Sequence, residues 1–350
     1  MKKSILFFGL LAGTAGFLKA QNVNIPDANF KAYLVGNTSI NTNGDNEIQI
    51  SEAEVYTGTI NVVSQNITDL TGIEAFVNIT YLECSFNPLI NLDVSKNTAL
   101  TKLWCRENQL VSLDVSYNTA LQELRASRNN LSFVDVSNLN NLVELNVQYN
   151  NNLSSVIIGN NKPNLSKISL NDSSLTSIDI NNYPALTLLQ INNNLLTELD
   201  LSHNPLLEWI NVSDNNLSSL NVKNGNNVNI TIFYASNNPN LTCIQVDNPS
   251  ASYLDNWQKD PTASYNTDCL LSVTDINKKE IAIYPNPVKE TLHFSEEVSN
   301  VKIIDVSGRT VKEFSAKGKS VNIANLAKGI YIISAVTKSG EMVTKKIVKE

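Results

Sequence analysis

The segment LTKLWCRENQLVSLDVSYNTA, residues 100–120, decides the fold, because its pattern recurs through more than half of the chain. Its apolar positions and its asparagine are Leu100, Leu103, Cys105, Asn108, Leu110, Leu113 and Val115. The same frame returns every 21 residues, with small insertions, in units that start at Ile79, Leu100, Leu121, Leu142, Leu165, Leu186, Leu207 and Ile230. Such a period predicts a solenoid in which each coil buries its apolar face only against its neighbours.

Positions within a coil follow from the spacing, with the first leucine counted as offset 0. Offsets 0, 3 and 5 are predicted to point inward, around a short strand whose alternate side chains face outward. The asparagine at offset 8 is predicted to satisfy backbone groups at the turn after the strand, and Ser173 interrupts that series. A coil of this length leaves little room for a helix on its return side. The frame resembles the leucine-rich-repeat family over residues 60–249.

Both ends of a solenoid must be covered, and the sequence supplies two covers. In residues 24–35, Asp27 is predicted to cap a helix that buries Phe30, Tyr33 and Leu34, and this segment resembles the helical cap of bacterial internalins. The N-terminal cap is assigned to residues 21–59, and the C-terminal cap and linker to residues 250–274. A disulfide between Cys243 and Cys269 is expected there, whereas Cys84 and Cys105 are expected to be buried free thiols.

The N-terminal cap also contains a loop with the spacing of an EF-hand calcium site. Its candidate ligands are Asn41, Asn43, Asp45, Glu47 and Glu52. Asn41 replaces the usual aspartate of the first position, and Asn46 stands where glycine makes the sharp turn. Because carboxylates are few, we expect a cap without metal, and weak calcium binding is the alternative. No other cofactor is expected.

The two ends of the chain carry export signals. Residues 1–20 have the basic start and apolar run of a secretory signal peptide, and no later stretch is apolar enough to span a membrane. In residues 275–350 the 21-residue frame gives way to alternating short strands, which predict a small antiparallel β-sandwich. This segment resembles the type A C-terminal sorting domain of the type IX secretion pathway. The resemblance rests on the IYPNPV segment and the KGIYII run, including Tyr284, Pro285, Asn286, Pro287, Gly329 and Tyr331.

The composition and the absence of catalytic motifs argue against two classes of function, nucleic-acid binding and catalysis. The net charge is −7, and an acidic body argues against nucleic-acid binding. The two histidines have no catalytic neighbourhood and no nucleophile or nucleotide motif occurs, so we expect no enzyme. The remaining hypotheses are a surface protein that binds a protein or polysaccharide on its concave strand face, and a structural envelope protein without a ligand. The candidate binding residues are Tyr81, Trp104, Arg106, Arg125, Arg128, Tyr149, Trp209 and Tyr234.

The resemblance to sorting domains has its own implications for partners and location. It implies contact with the type IX secretion machinery. It also implies a secreted protein, or one on the outer-membrane surface of a Bacteroidota-type bacterium. The overall expectation is a mainly β chain, made of a leucine-rich-repeat solenoid with a helical cap followed by an antiparallel β-domain.

Overall fold

The computed structural model describes residues 21–269, 281–305, 309–315, 317–338 and 342–350. The chain divides into two compact units, Met1–Val273 and Thr274–Glu350. The predicted signal peptide and the end of the linker lie outside the described residues. Within the described ranges, no helix is long and apolar enough to cross a membrane.

Each coil contributes one short strand to a ten-stranded parallel sheet. With strands numbered in chain order, this long sheet contains β1 (Thr59–Asn61), β2 (Tyr81–Glu83), β3 (Lys102–Trp104), β4 (Glu123–Arg125), β6 (Glu144–Asn146), β8 (Lys167–Ser169), β9 (Leu188–Gln190), β11 (Trp209–Asn211), β13 (Ile232–Ala235) and β15 (Gln258–Lys259). Equivalent residues of successive coils pair in register, as Leu103 does with Leu82 and Leu124. These middle leucines are buried, so the flanking side chains face away from the core. The prediction of a mainly β leucine-rich-repeat solenoid is confirmed.

The return side of the coils is extended rather than helical. Its strands are β5 (Phe133–Asp135), β7 (Ser155–Ile157), β10 (Glu198–Asp200), β12 (Ser219–Asn221), β14 (Cys243–Gln245) and β16 (Ser264–Asn266). The first two pair only with each other, and the other four form a second parallel sheet. The coil that starts at Leu165 contributes no return strand, which separates the two groups. Two 3-10 helices, η1 (Ile73–Ala75) and η2 (Asn227–Asn229), complete this side.

The asparagines at offset 8 tie each coil to the one before it. Asn129 accepts a hydrogen bond from the Leu110 backbone N–H at 3.0 Å, and its amide donates to the carbonyls of Cys105 and Ala126 at 3.0 and 3.1 Å. Equivalent bonds are made by Asn87, Asn108, Asn150, Asn194, Asn215 and Asn238. At Ser173 this asparagine ladder breaks, since the short hydroxyl is buried without a partner in the described chain.

A second column of buried polar side chains, at offset 18, was not predicted. Asn97, Asn118 and Asn204 each donate to two backbone carbonyls of preceding turns. In the intervening coils the role passes to Lys162, whose ammonium donates to the Ser137 carbonyl at 2.8 Å, and to the Tyr183 hydroxyl. Asn97 and Asn118 are 21 residues apart and Asn204 stands at the same offset of its own coil, so the signal was present. The sequence analysis missed this column because lysine and tyrosine stand in place of asparagine in two coils of the series.

The N-terminal cap consists of α1 (Ala28–Gly36) and α2 (Ile50–Val55). Asp27 caps α1 by accepting from the backbone N–H groups of Asn29 and Phe30 at 2.9 and 3.0 Å. Phe30 and Leu34 are fully buried against the first coil, whereas Tyr33 is half-buried. The second carboxylate oxygen of Asp27 accepts from Thr68, which links the cap to the solenoid.

At the other end, a 3-10 helix η3 (Ser252–Asn256) precedes β15 and β16. The Trp257 ring stacks on Phe233 with ring centroids 4.2 Å apart and closes the core of the last coils. Cys243 and Cys269 are joined in a disulfide, which ties the end of this cap to strand β14. Cys84 and Cys105 are buried and free.

The C-terminal unit is one antiparallel sheet of six strands. They are β17 (Ile283–Tyr284), β18 (Thr291–Asp305), β19 (Thr310–Phe314), β20 (Gly318–Asn322), β21 (Gly329–Thr337) and β22 (Met342–Lys349). The sequence predicted only short strands here, whereas β18 is one strand of 15 residues with irregular register. β19 and β20 escaped prediction because their polar, largely exposed side chains give no apolar alternation.

The residues of the sorting motif hold the two ends of this sheet together. The Asn286 side chain accepts from the Val348 backbone N–H at 2.8 Å and donates to the Lys346 carbonyl at 3.1 Å. Tyr331 is buried, and its hydroxyl donates to the Ala327 carbonyl. The IYPNPV segment is thereby attached to the last strand of the chain.

Candidate functional site

The outward side chains of the long sheet form a surface that we call the sheet face. It consists of the first and third residues of the long-sheet strands β2, β3, β4, β6, β8, β9, β11 and β13, at offsets 2 and 4 of the coils. In the four coils from β2 to β6, five of these eight residues are charged, namely Glu83, Lys102, Glu123, Arg125 and Glu144. In the four coils from β8 to β13 only Lys167 is charged. We call the coils from β2 to β6 the charged half of the sheet face, and the coils of β9, β11 and β13, which carry no charge there, the uncharged half.

A packed cluster occupies the charged half. The Arg125 guanidinium lies over the Trp104 ring at 4.1 Å, and the Tyr81 ring meets the other side of Trp104 edge-on at 5.2 Å. Arg125 also binds both carboxylate oxygens of Glu144, at 2.8 and 3.0 Å. Tyr81 and Arg125 contact the indole, and Glu144 holds Arg125 in place. The indole is therefore fixed in one orientation, which lowers the side-chain entropy that would be lost when a partner binds.

The charges of this cluster are balanced within it. Lys102 lies 2.7 Å from Glu123, and Arg125 approaches the same carboxylate at 3.6 Å. Burial acts to raise the pKa of Glu123, but the hydrogen bond and charge of Lys102 and the charge of Arg125 outweigh it, so the pKa is lowered. Burial and the hydrogen bond to Glu83 raise the pKa of Tyr81 above its usual range. Tyr81 is thus a neutral donor, and Glu123 stays ionised at neutral pH.

A second row, which we call the rim, lies at offset 7, immediately after the strands. Its residues adopt left-handed backbone conformations, with φ of +59° at Phe86, +51° at Glu107, and +55° at Arg128 and Tyr149. Asparagine, aspartate and glycine tolerate this conformation best. The later coils follow that preference, with Asp172, Asn193, Asp214 and Asn237 at the same position. The four residues of the early coils oppose it.

The rim side chains of the early coils are exposed and carry cation–π pairs. The Arg106 guanidinium lies 5.5 Å from the centre of the Phe86 ring, and that of Arg128 lies 4.1 Å from the centre of the Tyr149 ring. Phe86 is 47% exposed and Tyr149 is 37% exposed. Arg128 also pairs with Glu107 at 3.0 Å, whereas Arg106 has no carboxylate partner among the described residues.

The structure distributes the eight predicted binding residues over these regions. Tyr81, Trp104 and Arg125 belong to the packed cluster, and Arg128 and Tyr149 lie along the rim. Arg106 lies at offset 6 with its guanidinium against the rim residue Phe86, and Trp209 and Tyr234 lie in the uncharged half. Phe86 is a rim residue that the sequence analysis missed. Its offset equals that of Arg128 and Tyr149, so the frame could have identified it.

The donor groups of the calcium-like loop are engaged with one another. Glu52 accepts from the backbone N–H groups of Thr42, Asn43 and Gln49 at 2.8, 3.2 and 3.1 Å. Asn41 accepts from Gly44 and donates to two carbonyls. The oxygens of Glu52 and Asn41 thus hold the backbone of this loop, and calcium binding by the loop stays a prediction. Elsewhere in the described chain no group of three or more acidic, histidine or cysteine side chains could hold a metal.

The free cysteines are unsuited to nucleophilic chemistry. Burial raises the pKa of Cys105 to about 12 and that of Cys84 well above its ordinary value. Both thiols are therefore protonated at physiological pH, and the thiolate is the reactive form. His293 stacks on Tyr284 in the C-terminal sheet, and His203 lies on an exposed turn beside Ser202.

Comparison with known proteins identifies the C-terminal unit. Residues 282–350 match the family model described as a secretion system C-terminal sorting domain. The chain is therefore a leucine-rich-repeat protein with a type IX secretion sorting domain. The sorting domain indicates a secreted or cell-surface protein. No curated protein sequence matches the chain.

Solved structures resemble the chain at low sequence identity. The functional domain of InlJ from Listeria monocytogenes is 18% identical, with a TM-score of 0.39, over 95% of this chain and 100% of that one. An internalin, InlF, from the same species is 20% identical, with a TM-score of 0.41, over 73% and 96% of the two chains. A leucine-rich-repeat protein from Leptospira interrogans is 17% identical, with a TM-score of 0.44, over 62% and 69%. The assignment of the repeats rests on the 21-residue frame and on the observed coils.

Proposed function

We propose that this chain is a non-enzymatic binding protein that is displayed or released outside a Bacteroidota-type cell. Its recognition surface would be the sheet face and rim of the coils from β2 to β6, and its partner a protein or a polysaccharide. The type IX secretion machinery would be its partner during export.

The proposal rests mainly on the large, exposed side chains that occupy the rim of the early coils. Phe86, Arg128 and Tyr149 stand in left-handed turn positions where the later coils of the same molecule use aspartate or asparagine. A bulky side chain in that conformation lowers the stability of the fold by about 1 kcal/mol. The aspartate or asparagine of the later coils would avoid this cost at the same position. Large exposed aromatic and arginine side chains are also those that contribute most to protein interfaces. Their presence against local preference supports selection for binding.

The test compares two rim variants with the parent chain on combined protein and glycan arrays. Phe86→Ala with Arg106→Ala removes one cation–π pair, and Arg128→Ala with Tyr149→Ala removes the other. Lys96→Ala, on the exposed return side, is the matched loss of a cation. We expect at least one array ligand to lose binding by about tenfold or more in a rim variant, equivalent to about 1.4 kcal/mol. Equal binding by all variants, or no ligand for the parent, would contradict the proposal.

A structural envelope role is the second candidate, and the packing of Trp104 favours it. Tyr81 and Arg125 hold this indole laterally, as they would if the cluster only joined neighbouring coils. In that case Trp104→Ala would lower stability without any ligand being found for the parent chain.

A further inference from the structure

We infer that the uncharged half of the sheet face is a second, separate site, and that it binds an uncharged saccharide. The chain has three tryptophans, which occupy different surroundings. Trp104 is clamped by Tyr81 and Arg125, and Trp257 is buried on Phe233. Trp209 is 37% exposed and has no ring or cation against it among the described residues. Its indole is therefore available to a ligand.

The neighbours of Trp209 extend it into a flat apolar strip. Trp209 pairs in register with Leu188 on strand β9 and with Ile232 on strand β13. These two residues therefore lie on either side of the indole along the sheet. Both are half-buried, so part of each side chain faces outward. The outer strands of this trio lie about 10 Å apart. Flat apolar surface of this extent suits the C–H face of pyranose rings, which stack on aromatic side chains.

A row of neutral polar groups lies beside the strip. Gln190, Asn211 and Tyr234 are register partners at offset 4 of the same three coils. The oxygen of Gln190 accepts from the Ser169 hydroxyl at 3.2 Å, and that of Asn211 accepts from the Ser213 backbone N–H at 3.2 Å. The amide nitrogens of both residues and the Tyr234 hydroxyl have no partner in the described part of the chain. The row therefore offers mainly hydrogen-bond donors to a ligand.

This arrangement favours a saccharide over a peptide. An extended peptide alternates N–H donors with carbonyl acceptors, so it needs acceptors and donors from a surface. A sugar hydroxyl both accepts and donates and rotates to suit its surroundings, so it can accept from the free amide and phenol donors while donating to the second lone pair of the Gln190 or Asn211 oxygen. The lack of charge among Leu188, Trp209, Ile232 and the amide row also disfavours an ionic ligand. Strand β8 separates this patch from the charged cluster, and its exposed Lys167 is the register partner of Leu188.

Calorimetry on the full chain tests the inference with neutral oligosaccharides of glucan, mannan and galactan type. An oligogalacturonate is the charged comparison, and uncharged extended peptides are the peptide comparison. We expect at least one neutral oligosaccharide to bind, with an affinity little changed between about 0.05 and 0.5 M salt, because no ion pairs form. Trp209→Ala should weaken this binding by about tenfold or more, and Trp209→Tyr, which keeps a ring, should retain most of it.

Trp104→Ala is the matched loss of an indole and should leave saccharide binding within about threefold of the parent. Thermal unfolding followed by circular dichroism checks that each variant is folded. Absence of binding to every neutral oligosaccharide, binding of the peptides alone, or equal binding by Trp209→Ala would overturn the inference. The rim variants give an independent result, since array binding that depends on Arg106 or Arg128 would uphold the proposed function even if the saccharide site were absent.

Discussion

At the scale of single residues, the asparagine ladder shows how a repeated side chain fixes the coil geometry. Asn129 satisfies one backbone N–H and donates to carbonyls of two successive coils, and all of these groups are buried. A buried polar group that loses its partner costs about 1–3 kcal/mol. The ladder therefore contributes mainly by preventing these losses at every turn.

Asn129→Ala should lower the free energy of unfolding by roughly 2–4 kcal/mol, because the Leu110 N–H and the carbonyls it bridges lose their partner. Ser173→Ala is the matched control at the same offset. Its hydroxyl makes no hydrogen bond in the described chain, so the change should stay within about 0.5 kcal/mol. Urea unfolding followed by circular dichroism measures both. Equal losses at the two positions would show that the amide bonds are not the stabilising contacts.

The sequence predicted the ladder but only part of the rim. A strict 21-residue frame predicts which side chains are buried, because burial follows from the offset alone, as at Leu103 and Leu124. Contacts between neighbouring coils, such as Arg125 with Trp104, depend on rotamers and on which residue stands one coil away. The left-handed conformation of Phe86 carries no residue-type signal either, since phenylalanine does not favour it.

At the scale of structural elements, the carboxylate of Glu52 holds the N-terminal cap together. Glu52 is the third residue of α2, and it closes a capping box with Gln49 while it accepts from the backbone N–H groups of Thr42 and Asn43. Burial acts to raise the pKa of Glu52, but the hydrogen bonds from Gln49, Thr42 and Asn43 dominate and lower it. The ionised carboxylate therefore stabilises the folded cap.

This lowered pKa predicts an acid-sensitive cap. Because the folded pKa lies below that of the unfolded chain, the stabilisation is complete above about pH 4.3 and is lost as the pH falls through the folded value. Glu52→Gln should lower the melting temperature at neutral pH and flatten its decrease on acidification. Glu54→Gln, at an exposed position of the same helix, should leave both unchanged. Melting curves between pH 7 and acid conditions decide the matter, and parallel curves for parent and Glu52→Gln would contradict this role.

At the scale of the whole molecule, two units with different periodicity carry separate tasks. The solenoid has its own hydrophobic core, and the C-terminal sheet has another that contains Phe294, Ile303 and Ile333. A core of its own allows each unit to fold alone. Export and recognition can thus be separated by truncation.

Removal of residues 278–350 should leave a folded solenoid that is retained in the periplasm, because the outer-membrane signal is lost while the predicted signal peptide remains. Cell fractionation and surface proteolysis measure the location, and circular dichroism of the retained protein measures its fold. As a control, residues 278–350 fused to an unrelated periplasmic protein should direct that protein outward. Surface display of the truncated chain would refute the assignment of the export signal.

The interruption at Ser173 has a mechanical consequence for a protein held at a cell surface. In the coil that starts at Leu165 the asparagine ladder lacks a rung and the return side has no strand, so this coil is joined to the one before it by the long sheet and by the hydrogen bond from the Tyr183 hydroxyl, without those two contacts. In a linear array, stability depends on the interfaces between neighbours, and the weakest one sets where the array parts. Under tension the solenoid should therefore yield as two blocks divided at this coil. A single-molecule force trace should show two steps, and Ser173→Asn should merge them, whereas one step for the parent would disprove the weak coil.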